Sequence, residues 1–181
     1  MEVFEKSTTN RFKIKEVLRI ENLSLWHGYR AECDRLRVKW TKKGVPRLDA
    51  TVRGVPMSDD LKINEVYLMH ATTADVAAKV IQGGFDPSYS GTSSGANFGQ
   101  GTYFSDSIEK VFGYASRGGA IIVTRVALGH ASSFLPAAST TRSLRRPPMS
   151  KLKDPVSGDE MECDCVVGYA SNRKHKEFIV Y

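Results

Sequence analysis

Three polar side chains stand where a site is readily built: His70, Tyr103 and Glu177. His70 closes the apolar run Val66-Tyr67-Leu68-Met69 and is followed by Ala71-Thr72. Tyr103 comes directly after a stretch rich in Gly, Ser, Thr and Asn. Glu177 opens the terminal apolar run Phe178-Ile179-Val180-Tyr181. An imidazole, a phenol ring and a carboxylate can bond hydroxyls, stack on a flat ring and stabilise a positive centre. Taken singly, each has a plainer reading: a satisfied strand histidine, a core aromatic, a solvated strand start. Cys163-Asp164-Cys165 sits on an expected strand, where alternation puts both thiols on one face. The other ligand candidates, His27, His70, His130 and His175, are scattered, so no metal site is expected. No Walker loop, Rossmann fingerprint or nucleophile elbow occurs, and Gly99-Gln100-Gly101 is too short for a phosphate-binding loop.

These residues need elements to hold them. Phe12, Ile14, Leu18 and Ile20 alternate with mostly polar residues, as in a half-buried strand, with a bulge at Val17. Asn22 or Ser24 caps a helix over 24–40, whose stripe is Leu25, Tyr29, Cys33, Leu36 and Trp40. Cys33 on that stripe reads as a buried thiol. Residues 41–62 carry Gly44, Pro46, Gly54 and Pro56 and read as a loop with a short strand or hairpin. A strand over 66–69 delivers His70. Thr72-x-x-Asp75 has capping-box form, and Val76, Ala77, Val80 and Ile81 follow as a short helix stopped at Gly83-Gly84. Residues 86–101 read as a long functional loop. Order resumes at Thr102-Tyr103-Phe104. Asp106-x-x-Glu109 caps a second short helix with Ile108, Val111, Phe112 and Ala115. Ala120 to Val126 is the clearest strand. Residues 130–160 read as loop, and Met161–Val167 and Glu177–Tyr181 as the last strands. Helices are few and do not alternate with strands, so the class is α+β.

The chain has 181 residues, 41% hydrophobic and 25% charged, which fits one globular domain. The net charge is +6. One basic run is Arg35, Arg37, Lys39, Lys42, Lys43 and Arg47; another is Arg142, Arg145, Arg146, Lys151 and Lys153. The first is expected to be a solvated helix face and the second a solvated loop. Attraction of an anionic substrate or a nucleic acid is the alternative. No run of about 18 apolar residues occurs and the first residues lack a signal-peptide pattern. The three cysteines do not form a secreted framework, so an intracellular home, cytoplasmic or nuclear, is expected.

Read together, four segments resemble the catalytic domain of the poly(ADP-ribose) polymerase family, the diphtheria-toxin-like branch of ADP-ribosyltransferases. They are Tyr67-Leu68-Met69-His70-Ala71-Thr72, then Gly84-Phe85-Asp86, then Gly99-Gln100-Gly101-Thr102-Tyr103-Phe104-Ser105, and finally Lys176-Glu177-Phe178-Ile179-Val180-Tyr181. Leu18-Arg19-Ile20-Glu21-Asn22 with Leu25-Trp26 and Tyr29 is similar to the family's opening segment, and Cys165-Val166-Val167-Gly168 to the strand before its catalytic Glu. The resemblance runs in order over nearly the whole chain. It implies a single catalytic domain over 1–181: an ADP-ribosyltransferase fold of two packed, antiparallel-rich sheets, a few flanking helices and a central NAD cleft.

The resemblance also implies roles. His70, Tyr103 and Glu177 match the family's His-Tyr-Glu triad. The backbone of Ala71 would pin the nicotinamide carboxamide. Tyr103 and Tyr114 would sandwich the ring, and His70 and Thr72 would bond the adenosine ribose. Glu177 would bond the 2′-hydroxyl of the nicotinamide ribose. Gly84 and Phe85 belong to the same NAD-binding set. The implied activity is transfer of ADP-ribose from NAD+, as co-substrate, to an acceptor with release of nicotinamide. Mono-transfer to protein, possibly to itself, is expected. The alternatives are a degenerate module that binds NAD or ADP-ribose, and transfer to nucleic acid; no membrane partner is expected. Three replacements depart from the family pattern. Ala71 stands for a Gly, Gln100 for a Lys, and Val111 for a Ser that bonds the carboxamide. On that reading Val111→Ser and Ala71→Gly should tighten nicotinamide binding. The match also ends at Tyr181, before a closing Tyr-Pro-Glu-Tyr segment of many members.

Overall fold

Asn22 starts the first helix by accepting the Leu25 N–H at 3.1 Å. This helix, α1, is Leu23–Trp40. It buries Cys33, Leu36 and Trp40, which recur at helical spacing and pack on Ile63. In the computed structural model, residues 14–48, 61–89, 101–115, 118–133, 151–153, 160–162, 164–169 and 175–180 are described. Burial also pushes the Cys33 thiol above its ordinary value, which makes it a packing group and not a nucleophile. The expected strand before α1 does not form over its described part. Residues 14–20 take no sheet partner there, and Ile14, Val17, Leu18 and Ile20 are exposed. Alternation alone cannot make a strand without an edge to pair with.

Among the described residues, eight strands follow. They are β1 Glu65–Thr72, β2 Thr102–Phe104, β3 Ala120–Ala127, β4 Ala131–Ser133, β5 Lys151–Lys153, β6 Glu160–Glu162, β7 Cys165–Tyr169 and β8 Lys176–Val180. Between them lie α2, Ala74–Gly83, and α3, Ile108–Phe112. β1 pairs antiparallel with β3 from Glu65↔Ala127 to Thr72↔Ala120. A second sheet has the order β2-β8-β7-β4, antiparallel except that β4 runs parallel to β7. The α+β expectation holds, and a two-stranded β5–β6 ribbon is added.

Several boundaries move from their sequence positions. Thr73, not Thr72, caps α2, because pairing with Ala120 keeps Thr72 in β1. Ser107, not Asp106, caps α3, which stops at Phe112, short of Ala115. The span read as loop over 130–160 contains β4 and β5. The parallel β4–β7 pair needs a long crossover that periodicity does not reveal. The strand expected over 161–167 is split between β6 and β7. Residues 49–60, 90–100 and 134–150 lie outside the described residues.

Between the two larger sheets lies a core of Val66, Leu68, Phe104, Val126, Leu128, Val167 and Phe178. Each large apolar side chain here adds roughly 1.5–3 kcal/mol by burial. Polar ties fix how α1 sits. Asp164 takes the Trp40 indole N–H at 2.7 Å, Lys39 at 2.6 Å and the His130 backbone N–H at 3.0 Å. Gly129 must be glycine: its φ is 54°, and a Cβ would meet Asp164 Oδ2 at 2.3 Å. Tyr29 donates to the buried Glu65 at 2.6 Å. Burial and that bond push the Tyr29 phenol far up. Much of the first basic run is likewise paired: Arg35 with Glu32, Arg37 with Asp34, Lys39 with Asp164. Among the described residues no helix is long and apolar enough to cross a membrane.

Candidate active site

β1 carries His70 inside the strand, not at its end as the sequence suggests, because the ladder to β3 continues through Thr72. A further bridge joins β1 to the end of β2. Met69 N–H donates to the Ser105 carbonyl at 2.8 Å and Ser105 N–H to the Met69 carbonyl at 2.9 Å. This bridge sets His70 Nδ1 2.8 Å from the Tyr103 carbonyl. A carbonyl only accepts, so the Nδ1–H donates and a neutral ring keeps its lone pair on Nε2. The ring meets Phe85 edge-on at 5.2 Å and Phe104 at 5.9 Å. Burial pulls the imidazole below its ordinary value, against the opposing pull of the Tyr103 carbonyl. The result is a neutral histidine with one acceptor nitrogen.

Glu177 enters from β8, which is paired on both sides, to β2 and β7. It is 7% exposed, which is costly for a carboxylate unless it is partnered. The partner is Lys110, whose Nζ lies 2.9 Å from Oε1. Both side chains are largely buried, at 17% and 10% exposure. Lys110 Nζ also donates to the Tyr114 hydroxyl at 3.1 Å and lies 5.0 Å from the centre of that ring. Burial works against the Lys110 charge, but the bonds to Glu177 and Tyr114 win and hold its pKa above the ordinary value. Lys110 therefore stays an ammonium. Opposite Glu177 on β7 is Gly168, which has no side chain to fill that face. The β2–β8 register pairs Tyr103 with Ile179, so Tyr103 is a diagonal neighbour of Glu177 on the same face.

Ala71 and Thr72 are half-buried at the end of β1. Gly84 ends α2 with φ 85° and delivers Phe85 to His70. Tyr103 is half-buried, and Tyr114 is 52% exposed just past α3. Val111 is 4% exposed and packs with Met69 and Ile108, against Ala71 and Ile121. Its side chain sits in that apolar cluster, beside Ala71. The structure thus brings His70, Phe85 and the Tyr103 carbonyl together, and Glu177 with Tyr114 through Lys110; the β2–β8 ladder couples the two groups. Lys110 is the residue that sequence reasoning missed. Its only signal is a place four residues before Tyr114 on one helix face. Nothing local points to a carboxylate so far along the chain. Among the described residues, no cluster of three or more His, Cys, Asp or Glu side chains is placed to hold a metal ion.

Comparison with known proteins bears on the same residues. A family profile described as the poly(ADP-ribose) polymerase catalytic domain matches residues 1–181. Over 97 residues, 54% of the chain, the sequence is 34% identical to protein mono-ADP-ribosyltransferase PARP11 of Mus musculus and to its Homo sapiens counterpart. It is 30% identical over 97 residues to protein mono-ADP-ribosyltransferase PARP14 of Homo sapiens. The matched segment spans 24% and 23% of the two PARP11 proteins and 4% of PARP14.

Proposed function

The chain belongs to the poly(ADP-ribose) polymerase catalytic domain family, and from that premise we propose that it transfers a single ADP-ribose unit from NAD+ to a protein, releasing nicotinamide. All 181 residues are read as one catalytic domain. The mono-transferases named above support the single-unit outcome. The observation that carries the reading is Glu177: a buried carboxyl paired with Lys110 Nζ at 2.9 Å, opposite Gly168, which has no side chain.

As nicotinamide departs, positive charge grows on its ribose. A fixed carboxylate beside that carbon stabilises the oxocarbenium-like state, as in glycoside hydrolysis. Glu177 takes this role and bonds the ribose 2′-hydroxyl. Tyr103 and Tyr114 take the two faces of the nicotinamide ring, and the Ala71 backbone takes the carboxamide. His70 Nε2, left as an acceptor by the Tyr103 bond, takes a hydroxyl of the adenosine ribose. Thr72 assists it, and Gly84 and Phe85 line the same end. His70, Tyr103 and Glu177 then form the His-Tyr-Glu triad.

A second reading is a module that binds NAD or ADP-ribose without turnover. It is favoured by Val111, which offers an apolar side chain in the core where a hydroxyl is expected. Incubation with NAD+ labelled on the adenylate, followed by electrophoresis and assay of free nicotinamide, separates the two. Nicotinamide release with a sharp labelled protein band is expected. A smear means polymer. Binding without release sinks the transferase reading.

A further inference from the structure

Residues 105–110 are laced to the start of β8. Ser105 Oγ donates to the Lys176 carbonyl at 2.7 Å, His175 Nδ1 lies 2.9 Å from Ser107 Oγ, and Lys110 Nζ lies 2.9 Å from Glu177. Ser107 caps α3 and Lys110 is in its first turn, so the two are neighbours on that turn. His175 and Glu177 therefore meet the same helical turn side by side. His175 is half-buried, so it keeps some access to solvent.

Proton counting at Ser107 fixes the role of His175 Nδ1. A hydroxyl has one hydrogen and two acceptor sites. Glu109 Oε2 lies 2.9 Å away and takes the hydrogen. The Lys110 backbone N–H, at 3.4 Å, uses one acceptor site. The Nδ1–H of His175 donates to the other. A neutral ring in this arrangement carries its lone pair on Nε2. A ring held through one nitrogen by a hydroxyl, itself held by a carboxylate, has the organisation of a general base.

We propose that His175 is the acceptor-side base of this protein and that its acceptor is an aliphatic hydroxyl on a protein. The inference rests on the transferase reading. The acceptor oxygen forms a bond to C1 of the nicotinamide ribose. The C1–N bond breaks, and its electron pair leaves on the nicotinamide nitrogen, which becomes neutral. The hydroxyl proton passes to His175 Nε2 and from there to water. A carboxylate acceptor brings no proton and needs no such base.

The test uses the full chain, labelled NAD+ and two peptide pools identical except that Ser or Glu is the sole nucleophile. The expected result is label on the Ser pool that resists hydroxylamine, as an O-glycoside does and an ester does not. In His175→Gln that label falls about 10-fold or more relative to NAD+ hydrolysis, while the affinity for benzamide, a nicotinamide mimic, is kept. Free imidazole restores labelling in His175→Ala. Hydroxylamine-labile label on the Glu pool alone overturns the proposal. So does Ser labelling by His175→Gln at the wild-type level. A parallel fall of labelling and nicotinamide release, with no rescue by imidazole, also overturns it, because His175 then only props α3. If the wild type releases no nicotinamide at all, the transferase reading falls and takes this assignment with it. With nicotinamide release intact, any of the three contrary results sinks this assignment alone.

Discussion

Lys110 stands between Glu177 and Tyr114, its Nζ 2.9 Å from the carboxylate and 3.1 Å from the phenol oxygen. One cation thus serves two residues of the proposed site. It partners the buried carboxyl and holds the exposed ring that lies just past α3. Helix α3 has only five residues, so its own hydrogen bonds stabilise it weakly. The Ser107 cap, the lacing to β8 and the packing of Ile108 and Val111 hold it in place.

Glu177→Gln keeps the shape and removes the charge. Nicotinamide release should fall about 10²-fold or more, with little change in NAD+ affinity. Lys110→Met leaves the carboxylate buried without its cation. It should cost about 1–3 kcal/mol of stability as well as turnover. The double variant should recover stability relative to Lys110→Met, because the orphaned charge is gone. Thermal melts and a nicotinamide-release assay on all four proteins read this cycle. Turnover in Glu177→Gln at the wild-type level would remove Glu177 from the mechanism.

The two proposed stacking rings differ in support. Tyr103 is fixed in the β2–β8 ladder, whereas Tyr114 is 52% exposed and held by Lys110. Tyr103→Ala should weaken benzamide binding by about 1–3 kcal/mol, on the scale of base–aromatic stacking. Tyr114→Ala should weaken it too, and Lys110→Met should reproduce part of that loss by freeing the ring. Benzamide raises the wild-type melting temperature on this account. An equal rise in Tyr103→Ala would contradict the stacking.

His70 ties stability to pH. Its folded pKa lies below the ordinary histidine value, because burial disfavours the imidazolium. The unfolded chain then binds the proton first as pH falls. The His70 contribution is fully present above about pH 6.5, the unfolded value, and is lost as pH drops through the lower folded value. Wild type should therefore lose stability below about pH 6.5 more steeply than His70→Gln, which has no proton to gain. Denaturant unfolding at pH 7.5, 6.5 and 5.5 measures the difference. Parallel pH profiles would mean that His70 is not held neutral by the fold.

What could be read from the sequence followed from what is local. The α1 stripe of Cys33, Leu36 and Trp40, the β1 run into His70 and the Gly83-Gly84 stop all rest on periodicity and turn chemistry. The site residues were legible only as an ordered set, because each alone has a structural reading. Pairings set by the rest of the fold stayed hidden. Lys110 meets Glu177 through tertiary contact, and β4 is a short segment defined by a parallel partner far along the chain. Residues 14–20 show the converse, a clear alternation with no described partner to pair with. Val111 carries the same lesson inside the site. Its register with Tyr114 and its stripe with Ile108 were readable, but its contact with Met69, on another element, was not.

Burial of Val111 sets a stability cost on Val111→Ser. The side chain is 4% exposed among Met69 and Ile108, with Ala71 and Ile121 packed against them. Serine there loses apolar contact and buries a hydroxyl in an apolar cluster, at a combined cost of about 2–3 kcal/mol. For a chain of this size that lowers the melting temperature by roughly 5–10 °C. Val111→Thr keeps the volume and isolates the hydroxyl, so it should cost less than serine but more than nothing. Neither variant should bind benzamide more tightly than wild type. Affinity is best measured by titration well below the lowered melting temperature, so that unfolding does not mimic weak binding. Tighter benzamide binding by Val111→Ser would show that α3 turns this position toward the ligand, and the packing assigned to Met69 and Ile108 would have to be redrawn.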